Sequence, residues 1–220
     1  MTHDAIPKDR FLIEKIVRAL TQREDIAVAY ARQLPRPDCR EIEKYTRSFN
    51  YPDNSMIKSL ADVDTLGIKT FFCSNVCAAY NREIYENIGG FVKKAIFNED
   101  MIYAGHAVNA GYRIAYAAEA LVEHSHNFTC AQQFHRNFDL GVSQADHPEV
   151  FEVVSSESEG MKLVKDTIKH LGRIRERKLI PYLILSSGFK LIGYQLGKHY
   201  RNLPYNIVRW CSSNKVYWEL

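Results

Sequence analysis

The feature that most constrains the fold is a helix that leads at once into two strand-like segments and a pair of histidines. The helix is predicted over 99–110, and Gly111 stands where a left-handed C-cap is needed. The strands are predicted over 112–116 and 120–124, and His126 follows two residues later. A helix-strand-strand unit with acidic residues at one end and histidines at the other is typical of an α/β domain with a catalytic edge. Enzyme is therefore the leading class.

The rest of the pattern agrees with an α/β domain followed by helices. Apolar residues at helical spacing predict a helix over 8–21, and a strand is predicted over 26–30. From the histidines onward the pattern is helical almost to the end, with a change of character near Glu157. We therefore predict an α/β domain over 1–156 and a basic, amphipathic helical extension over 157–220.

Charge and cysteine content exclude two classes of protein. The formal net charge is +3, from 29 basic and 26 acidic residues, which is too close to balance for a dedicated nucleic-acid-binding protein. The five cysteines are scattered and odd in number, without close paired spacing, so a disulfide framework is not expected. A reducing, cytoplasmic compartment is the better interpretation, and the first four residues are too polar for a secretory signal.

The sequence of the C-terminal region predicts binding at a membrane surface rather than a membrane-spanning helix. The longest apolar run, 179–193, is interrupted by Lys190 and is shorter than the roughly 20 residues that a spanning helix needs. Before it, 161–178 carries lysines and arginines interleaved with apolar residues, a pattern that suits an anionic membrane face. A solvated helix packed on the domain explains the same pattern equally well.

The motifs gain meaning from their order along the chain. They are Thr2-His3-Asp4-Ala5-Ile6-Pro7, Ala29-Tyr30-Ala31-Arg32-Gln33-Leu34-Pro35, Phe49-Asn50-Tyr51-Pro52, Asn98-Glu99-Asp100-Met101, His124-Ser125-His126 and the tail Gly193-Tyr194-Gln195-Leu196-Gly197-Lys198. In this order they resemble the bacterial rhamnosyltransferases of glycosyltransferase family 2, which are inverting enzymes of the GT-A fold. The likeness extends over the whole chain.

The resemblance implies an incomplete domain. In that family a nucleotide-binding βαβα segment precedes the part that matches Thr2-His3-Asp4. We therefore expect the C-terminal part of an α/β GT-A (Rossmann-like) domain with a mostly helical C-terminal extension. Such a chain, lacking the strands that hold the donor nucleotide, is expected to be truncated and weakly active on its own.

The resemblance also implies a catalytic base and a metal site. Asp100, with Glu99 beside it, matches the catalytic base of the family. Asp4 matches the last acidic residue of the aspartate-x-aspartate metal motif, while Thr2 stands in place of the first. His124 is the expected second ligand of Mg²⁺ or Mn²⁺. The alternatives are charge preference in a first helical turn for the acidic pair and ordinary hydrogen bonding for the histidines.

Three further residues are expected to contact the donor or acceptor. Ser74 and Asn75 lie in a β-leaning segment over 70–80, where family members contact the donor sugar or acceptor, and Arg136 is placed to meet a diphosphate. The competing explanations are local backbone hydrogen bonds for Ser74 and Asn75 and solvent exposure for Arg136. A zinc site is not favoured, because the histidines and cysteines have no structural-zinc spacing.

These implications define the expected activity. We expect an inverting glycosyltransferase that moves a deoxyhexose, rhamnose, from a nucleotide diphosphate sugar such as dTDP-rhamnose to a lipid-linked polysaccharide acceptor. Its expected location is the cytoplasm, peripheral on the inner face of the cell membrane, with no nucleic-acid partner. The alternative is a non-catalytic module that docks on a membrane or a partner through the basic C-terminal half.

Overall fold

The computed structural model describes residues 1–152 and 156–219 and shows a mixed α/β protein, as predicted. The chain divides into two compact units. The first, called the sheet unit, comprises Met1–Val92 and Asp100–Asn127, and the second, called the helical unit, comprises Lys93–Glu99 and Phe128–Leu220. The division predicted at residue 157 falls next to 153–155, which lie outside the described residues, and it stays a prediction.

The sheet unit alternates short helices with strands. In chain order its elements are β1 (Ile6–Pro7), α1 (Leu12–Thr21), β2 (Ile26–Leu34), α2 (Glu41–Asn50), β3 (Met56–Lys58), α3 (Val63–Leu66), β4 (Ala78–Tyr80), α4 (Arg82–Asn87), α5 (Glu99–Asn109) and β5 (Arg113–Glu123). Short 3-10 turns at Leu60–Asp62 and Gly67–Thr70 flank α3.

The sheet is built on two long parallel strands, β2 and β5. The strand order is β1-β5-β2-β4, and β3 also pairs with β5. The short strands β1, β3 and β4 all run antiparallel to their partners. Six consecutive residues of β2, Ile26 to Ala31, are buried, which is the pattern of a strand covered on both faces. The parallel pair therefore forms the centre of this unit.

Two predictions about strands were wrong in detail. The segments predicted over 112–116 and 120–124 form the single strand β5, but its pairing with β2 shifts register between Ala117 and Leu121. The predicted break is therefore a local irregularity in one strand. Of the β-leaning segment over 70–80, only the last three residues pair as a strand, β4. The rest forms a turn and a loop.

Helix α1 closes one face of the sheet. It buries Leu12 and Ile16, which pack in one core cluster with Ala29, Ala115 and Val122 of the central strands. Alanine on the strands leaves room for the helix to approach, and each fully buried Leu or Ile contributes roughly 1.5–3 kcal/mol. The helix predicted over 8–21 is confirmed and starts later, at Leu12, but of the apolar residues predicted to form its buried stripe, Phe11 and Val17 are exposed.

The predicted cap of α5 is also confirmed. Gly111 has a φ of 91°. Its N–H donates to Val108 O at 3.0 Å, and Tyr112 N donates to Ala107 O at 2.9 Å. This pair of bonds is the Schellman motif, which only a residue that tolerates positive φ completes without strain. The motif ends the helix and directs the chain into β5.

The helical unit contains five α-helices among its described residues. They are α6 (Cys130–Asp146), α7 (Pro148–Phe151), α8 (Ser156–Arg173), α9 (Ile180–Lys198) and α10 (Tyr205–Cys211), with 3-10 turns at Arg177–Leu179, Tyr200–Asn202 and Val216–Glu219. None of the helices in the described part of the chain is both long enough and apolar enough to cross a membrane. All five cysteines of the protein are free thiols.

Helices α6 and α9 pack with their backbones in contact. A Cβ atom added at Gly193 would overlap the carbonyl oxygen of Phe134, and one at Gly197 would overlap that of Phe138. On the facing helix, a Cβ at Gly141 would overlap Tyr194 O. Glycine is required at these positions because any side chain would push the two helices apart.

This close approach predicts opposite effects for two glycines of the same helix. Gly197→Ala should lower the free energy of unfolding by about 1–3 kcal/mol, because the methyl group meets rigid backbone. Gly188→Ala, the matched control on α9, meets nothing within 4 Å and should raise it by about 0.5–1 kcal/mol. Urea unfolding followed by circular dichroism measures both, and equal effects would contradict the proposed helix contact.

Candidate functional site

The polar residues predicted at strand ends meet at one edge of the sheet unit. The parallel strands β2 and β5 end together, with Leu34 paired to Glu123, and β1 pairs antiparallel to the end of β5. Asp4, just before β1, is therefore brought to the residues that follow β5, His124 and His126. In open α/β sheets, ligands bind outside the carboxyl ends of parallel strands, which is where this edge lies.

A buried glutamine organises this edge. Gln33 on β2 is 2% exposed, and its Nε2 donates to Tyr51 Oη at 2.6 Å and to Ser74 Oγ at 2.8 Å. Its Oε1 lies 2.5 Å from Arg47 Nη1 and 3.0 Å from His124 Nδ1. All four hydrogen-bonding positions of the amide are thus used. Because a guanidinium only donates, Arg47 determines which amide atom is the oxygen.

The orientation of Gln33 in turn determines the tautomer of His124. An amide oxygen only accepts, so His124 Nδ1 carries the proton that it donates to Gln33. Burial, followed by the nearby Arg47 charge, lowers the pKa of His124 to about 4, so the ring is neutral near pH 7. The Nε2 atom therefore presents a lone pair, as a metal-binding imidazole does.

That lone pair is directed at an acidic group and a second imidazole. His124 Nε2 lies 3.2 Å from Asp4 Oδ2 and 3.2 Å from His126 Nε2. His126 Nε2 is also 3.2 Å from Asp4 Oδ2, and the three ligand atoms lie within 4.8 Å of one another. The pKa of Asp4 lies below its ordinary value because of the neighbouring Thr2 hydroxyl and the two imidazoles, although desolvation opposes them.

This donor set fits a divalent cation. A carboxylate and a neutral imidazole whose other nitrogen is held by an amide oxygen are typical metal ligands. A lone pair and a carboxylate oxygen at 3.2 Å also repel unless a proton or a cation stands between them. The predicted ligands Asp4 and His124 are therefore brought together, with His126 as a third.

The same glutamine connects the cluster to the predicted base. Ser74, which accepts from Gln33, precedes Asn75, whose backbone N–H donates to Asp100 Oδ2 at 2.8 Å. Met101 N–H donates to the other carboxylate oxygen at 2.8 Å. Asn75 Oδ1 accepts from the Tyr80 hydroxyl. The Asp100 carboxylate is thus oriented by two backbone amides.

A buried lysine holds the loop that carries Ser74 and Asn75. Lys58 on β3 is 3% exposed, and its Nζ donates to Lys69 O at 2.8 Å and to Phe72 O. It also lies 5.1 Å from the ring centroid of Tyr30, a cation–π distance. Burial lowers the pKa of Lys58 to about 7. The buried Lys58 amino group thereby holds in place the loop that was predicted as a strand.

Two residues that were predicted for the site, Glu99 and Arg136, lie in the helical unit. Glu99 is exposed, is the first residue of α5 and belongs to the helical unit. Arg136 lies on α6 in the helical unit, where its guanidinium stacks over the rings of Phe97 at 5.0 Å and Phe128 at 4.6 Å. The pairing of Arg136 with Ser74 and Asn75 at one donor site stays a prediction.

Three members of this edge were not predicted from the sequence. Gln33, Arg47 and His126 were not assigned roles, although His126 was noted as a neighbour of His124. An available signal was Gln33 itself, since a glutamine in a run of apolar strand residues requires polar partners once buried. Arg47 lies on α2 and carries no local motif.

Comparisons with known proteins place this chain in a family. The family model described as "Glycosyltransferase like family 2" matches residues 1–139. A Salmonella anatum protein named O-antigen chain rhamnosyltransferase WbaN is 41% identical over 220 residues, covering 100% of this chain and 69% of that protein. Salmonella typhimurium O-antigen chain rhamnosyltransferase RfbN is 40% identical with the same coverage. No solved structure matches.

The Asp4, His124 and His126 cluster predicts how the chain binds Mn²⁺. His126→Ala removes one ligand atom and should lower Mn²⁺ affinity at least about tenfold. Gln33→Leu should lower it about 10–100-fold, because the tautomer of His124 is no longer fixed. Electron paramagnetic resonance of free Mn²⁺ measures both affinities.

The exposed His199 of the helical unit provides the control. His199→Ala should bind Mn²⁺ as the parent does, and melting temperatures identify any variant that fails to fold. Unchanged affinity in His126→Ala, or no Mn²⁺ binding by the parent chain, would show that the three side chains do not form a metal site.

Proposed function

The chain belongs to the glycosyltransferase-like family 2 and is a glycosyltransferase, and from this premise we propose that it transfers rhamnose, with inversion, to a polysaccharide acceptor of the O-antigen type. The observation that carries the proposal is the set of contacts that runs from the Asp4 cluster through Gln33 to Ser74 and, through the N–H of the adjacent Asn75, to Asp100. The names of the two Salmonella relatives support the sugar and the acceptor class.

Asp100 is proposed as the general base. Its carboxylate takes the proton of an acceptor hydroxyl while the hydroxyl oxygen forms a bond to the anomeric carbon of the donor. The bond from that carbon to the diphosphate breaks on the opposite face, and the nucleotide diphosphate leaves with the electron pair. The backbone amides of Asn75 and Met101 keep the carboxylate in one orientation during this step. Glu99 is the proposed auxiliary acidic residue.

Asp4, His124 and His126 are proposed to hold the divalent cation of the reaction. When bound, such a cation supplies positive charge to the leaving diphosphate. Two imidazole nitrogens beside one carboxylate suit Mn²⁺ better than Mg²⁺, because Mg²⁺ prefers ligands that are all oxygen. Ser74 and Asn75, next to this cluster through Gln33, are proposed to contact the donor sugar, and dTDP-rhamnose is the proposed donor.

The base assignment predicts a large loss of transfer in Asp100→Asn. An amide does not accept the acceptor proton, so the rate of rhamnose transfer should fall by about 10²–10⁴-fold, while binding of dTDP-rhamnose stays within about threefold. Glu83→Gln, the same loss of one carboxylate charge at an exposed position of α4, is the control and should leave the rate unchanged. Transfer is measured as radiolabelled rhamnose incorporated into a lipid-linked acceptor.

The assay is best run in two proteins, this chain and a chimera. In the chimera the chain replaces the matching 69% of the Salmonella anatum relative, so that activity is read within a protein of the relative's length. If Asp100→Asn transferred rhamnose at the rate of the parent, Asp100 would not be the general base. If the protein transferred another sugar and did not use dTDP-rhamnose, the proposed donor would be wrong. The assignment of the chain as a glycosyltransferase would still stand.

A second proposed property is attachment to an anionic membrane face through the helical unit. One side of α9 is exposed and apolar, and its large residues are Ile184, Leu185, Phe189, Leu191 and Ile192, between 38% and 57% exposed. Ile184, Leu191 and Ile192 lie on the side of α9 away from the glycines that contact α6, and Leu185 and Phe189 lie on the flank of that side. A continuous exposed apolar stripe of this kind marks an interaction surface.

Basic residues that precede α9 in the sequence favour a lipid surface, rather than a protein partner, as the binding partner of the apolar stripe. The preceding segment contains Lys162, Lys169 and Lys178, whose side chains are 61–79% exposed. Apolar side chains inserted among head groups and lysines near anionic lipids contribute to binding additively. This property fits a transferase whose acceptor is lipid-linked, and it also fits the alternative of a docking module.

Flotation with lipid vesicles tests the membrane proposal. The chain should float with vesicles that contain phosphatidylglycerol, less so at 0.5 M NaCl than at ~0.1 M because screening weakens the lysine attraction. Ile184→Ser combined with Leu191→Ser should reduce flotation severalfold, and Ile13→Ser, an equally exposed position on α1, should not. Equal flotation of all variants, or none by the parent chain, would exclude α9 as the attachment surface.

A further inference from the structure

The amino group of Lys58 is a buried polar group that the proposed reaction does not use. Lys58 ends β3, is 3% exposed and lies beside the segment over 69–75, called the Ser74 loop. Most of this loop is buried as well, including Thr70, Phe71, Cys73 and Ser74. All of its residues are described and none is paired in a strand, so its inward-facing carbonyls need donors from other groups.

The hydrogen-bond partners of Lys58 match those of a neutral amine. Its Nζ donates to Lys69 O at 2.8 Å and to Phe72 O, which uses both hydrogens that a neutral amine carries. The Tyr30 hydroxyl lies 3.3 Å from Nζ and can donate to the amine lone pair. A charged ammonium has no lone pair, so it would leave the Tyr30 hydrogen without an acceptor among the described residues.

The surroundings of Lys58 compensate a positive charge poorly. Among the described residues, no carboxylate pairs with its amino group. Asp62, the acidic residue that favours the charge, is bound to the N–H and the hydroxyl of Ser59 at 2.8 and 2.9 Å. Burial raises the pKa of the Cys73 thiol, which therefore stays neutral, and Lys69 adds a like charge. Burying an ammonium here is therefore costly.

Two aromatic rings favour the charged form without offsetting burial. Lys58 Nζ lies 5.1 Å from the ring centroid of Tyr30 and 5.9 Å from that of Phe72. Burial outweighs this attraction and lowers the pKa of Lys58 from 10.5 to about 7. The amino group therefore changes its charge near neutral pH while it holds the loop.

The Ser74 loop connects the two halves of the proposed site. Ser74 Oγ accepts from Gln33 at 2.8 Å, and the Asn75 N–H donates to Asp100 Oδ2 at 2.8 Å. Both residues follow closely after Phe72, whose carbonyl Lys58 binds. Because neighbouring Cα atoms are only about 3.8 Å apart, a displacement of Phe72 is passed on to Ser74 and Asn75.

We propose that Lys58 is a positioning residue that holds the Ser74 loop closed as a neutral amine, and that protonation of Lys58 releases the loop. Release withdraws the Asn75 N–H from Asp100 and the Ser74 hydroxyl from Gln33. The effect on transfer rests on the proposed function, whereas the release itself rests only on the contacts of Lys58. The two are therefore tested by different measurements.

The sign of the pH dependence follows from proton binding. In the open loop, water reaches the amino group and its pKa returns to the ordinary 10.5, so the open form binds more protons than the closed form. The ratio of open to closed molecules therefore rises as the pH falls below 10.5 and becomes constant below about 7. Between pH 8 and pH 6 it should rise about tenfold.

Nuclear magnetic resonance of the chain labelled with ¹³C-lysine tests the charge of Lys58 directly. One lysine should titrate with a midpoint near pH 7, while exposed lysines titrate near 10.5. That signal should be absent from Lys58→Met and present in Lys178→Met, the exposed control. A parent chain in which every lysine titrates near 10.5 would overturn the proposal.

Hydrogen exchange of the Asn75 N–H tests the release of the loop. Its protection factor should fall about tenfold from pH 8 to pH 6 in the parent and should be low at both pH values in Lys58→Met. The Val208 N–H, bonded to Pro204 O in the helical unit, is the control amide and should keep its protection. Equal Asn75 protection at both pH values in the parent would overturn the proposal, whether or not Lys58→Met folds.

Transfer by the chimera separates this role from the proposed function. Lys58→Met should lower the rate of rhamnose transfer at pH 8 at least about tenfold, because Asp100 loses an orienting contact, and Lys178→Met should not. An unchanged rate in Lys58→Met would overturn the positioning role and leave Asp100 as the proposed base. The titration and the exchange use neither donor nor acceptor, so a parent that transfers no rhamnose would contradict the proposed function alone.

Discussion

The buried amide of Gln33 is the interaction on which the candidate site depends. Arg47 can only donate, so it fixes the amide oxygen, and that oxygen fixes the proton on His124 Nδ1. The lone pair of His124 Nε2 must then face Asp4. Because the amide is removed from water, any other arrangement would leave a donor or an acceptor unpaired, which costs about 1–3 kcal/mol per group. One side chain on β2 thus sets the chemistry of atoms on two other segments.

The two units are stabilised by different interactions, and each kind of interaction affects the proposed function. In the sheet unit, the polar side chains of Gln33 and Lys58 are buried and must find partners, and those partners shape the site. In the helical unit, Gly193 and Gly197 bring α9 onto α6, while Ile184, Leu191 and Ile192 of the same helix stay exposed. The same periodicity therefore determines both a tight contact and an exposed surface.

Local sequence patterns predicted elements better than they predicted pairing. Helix α5 and its Gly111 cap follow from residues near one another in sequence, and both were predicted. Strand β2, predicted to end at residue 30, continues to Leu34 because β5 pairs with it to the end. That extension places Gln33 inside the sheet. The segment over 70–80 has strand-forming residues, yet most of it is a loop, and the buried Lys58 amino group binds Phe72 O within that loop and Lys69 O just before it.

The sequence by itself determined the α/β class, the family and the residue types available for chemistry, since periodicity, caps and motif order are local properties. Five of the seven site residues predicted from the sequence, Asp4, Ser74, Asn75, Asp100 and His124, lie in the sheet unit. Only the tertiary structure decided that Gln33 joins His124 across 91 residues and Ser74 across 41, and that Arg136 lines a cavity among helices. Hydrogen bonds act over about 3 Å, so their partners are set by how strands pair and helices pack, which no local pattern contains.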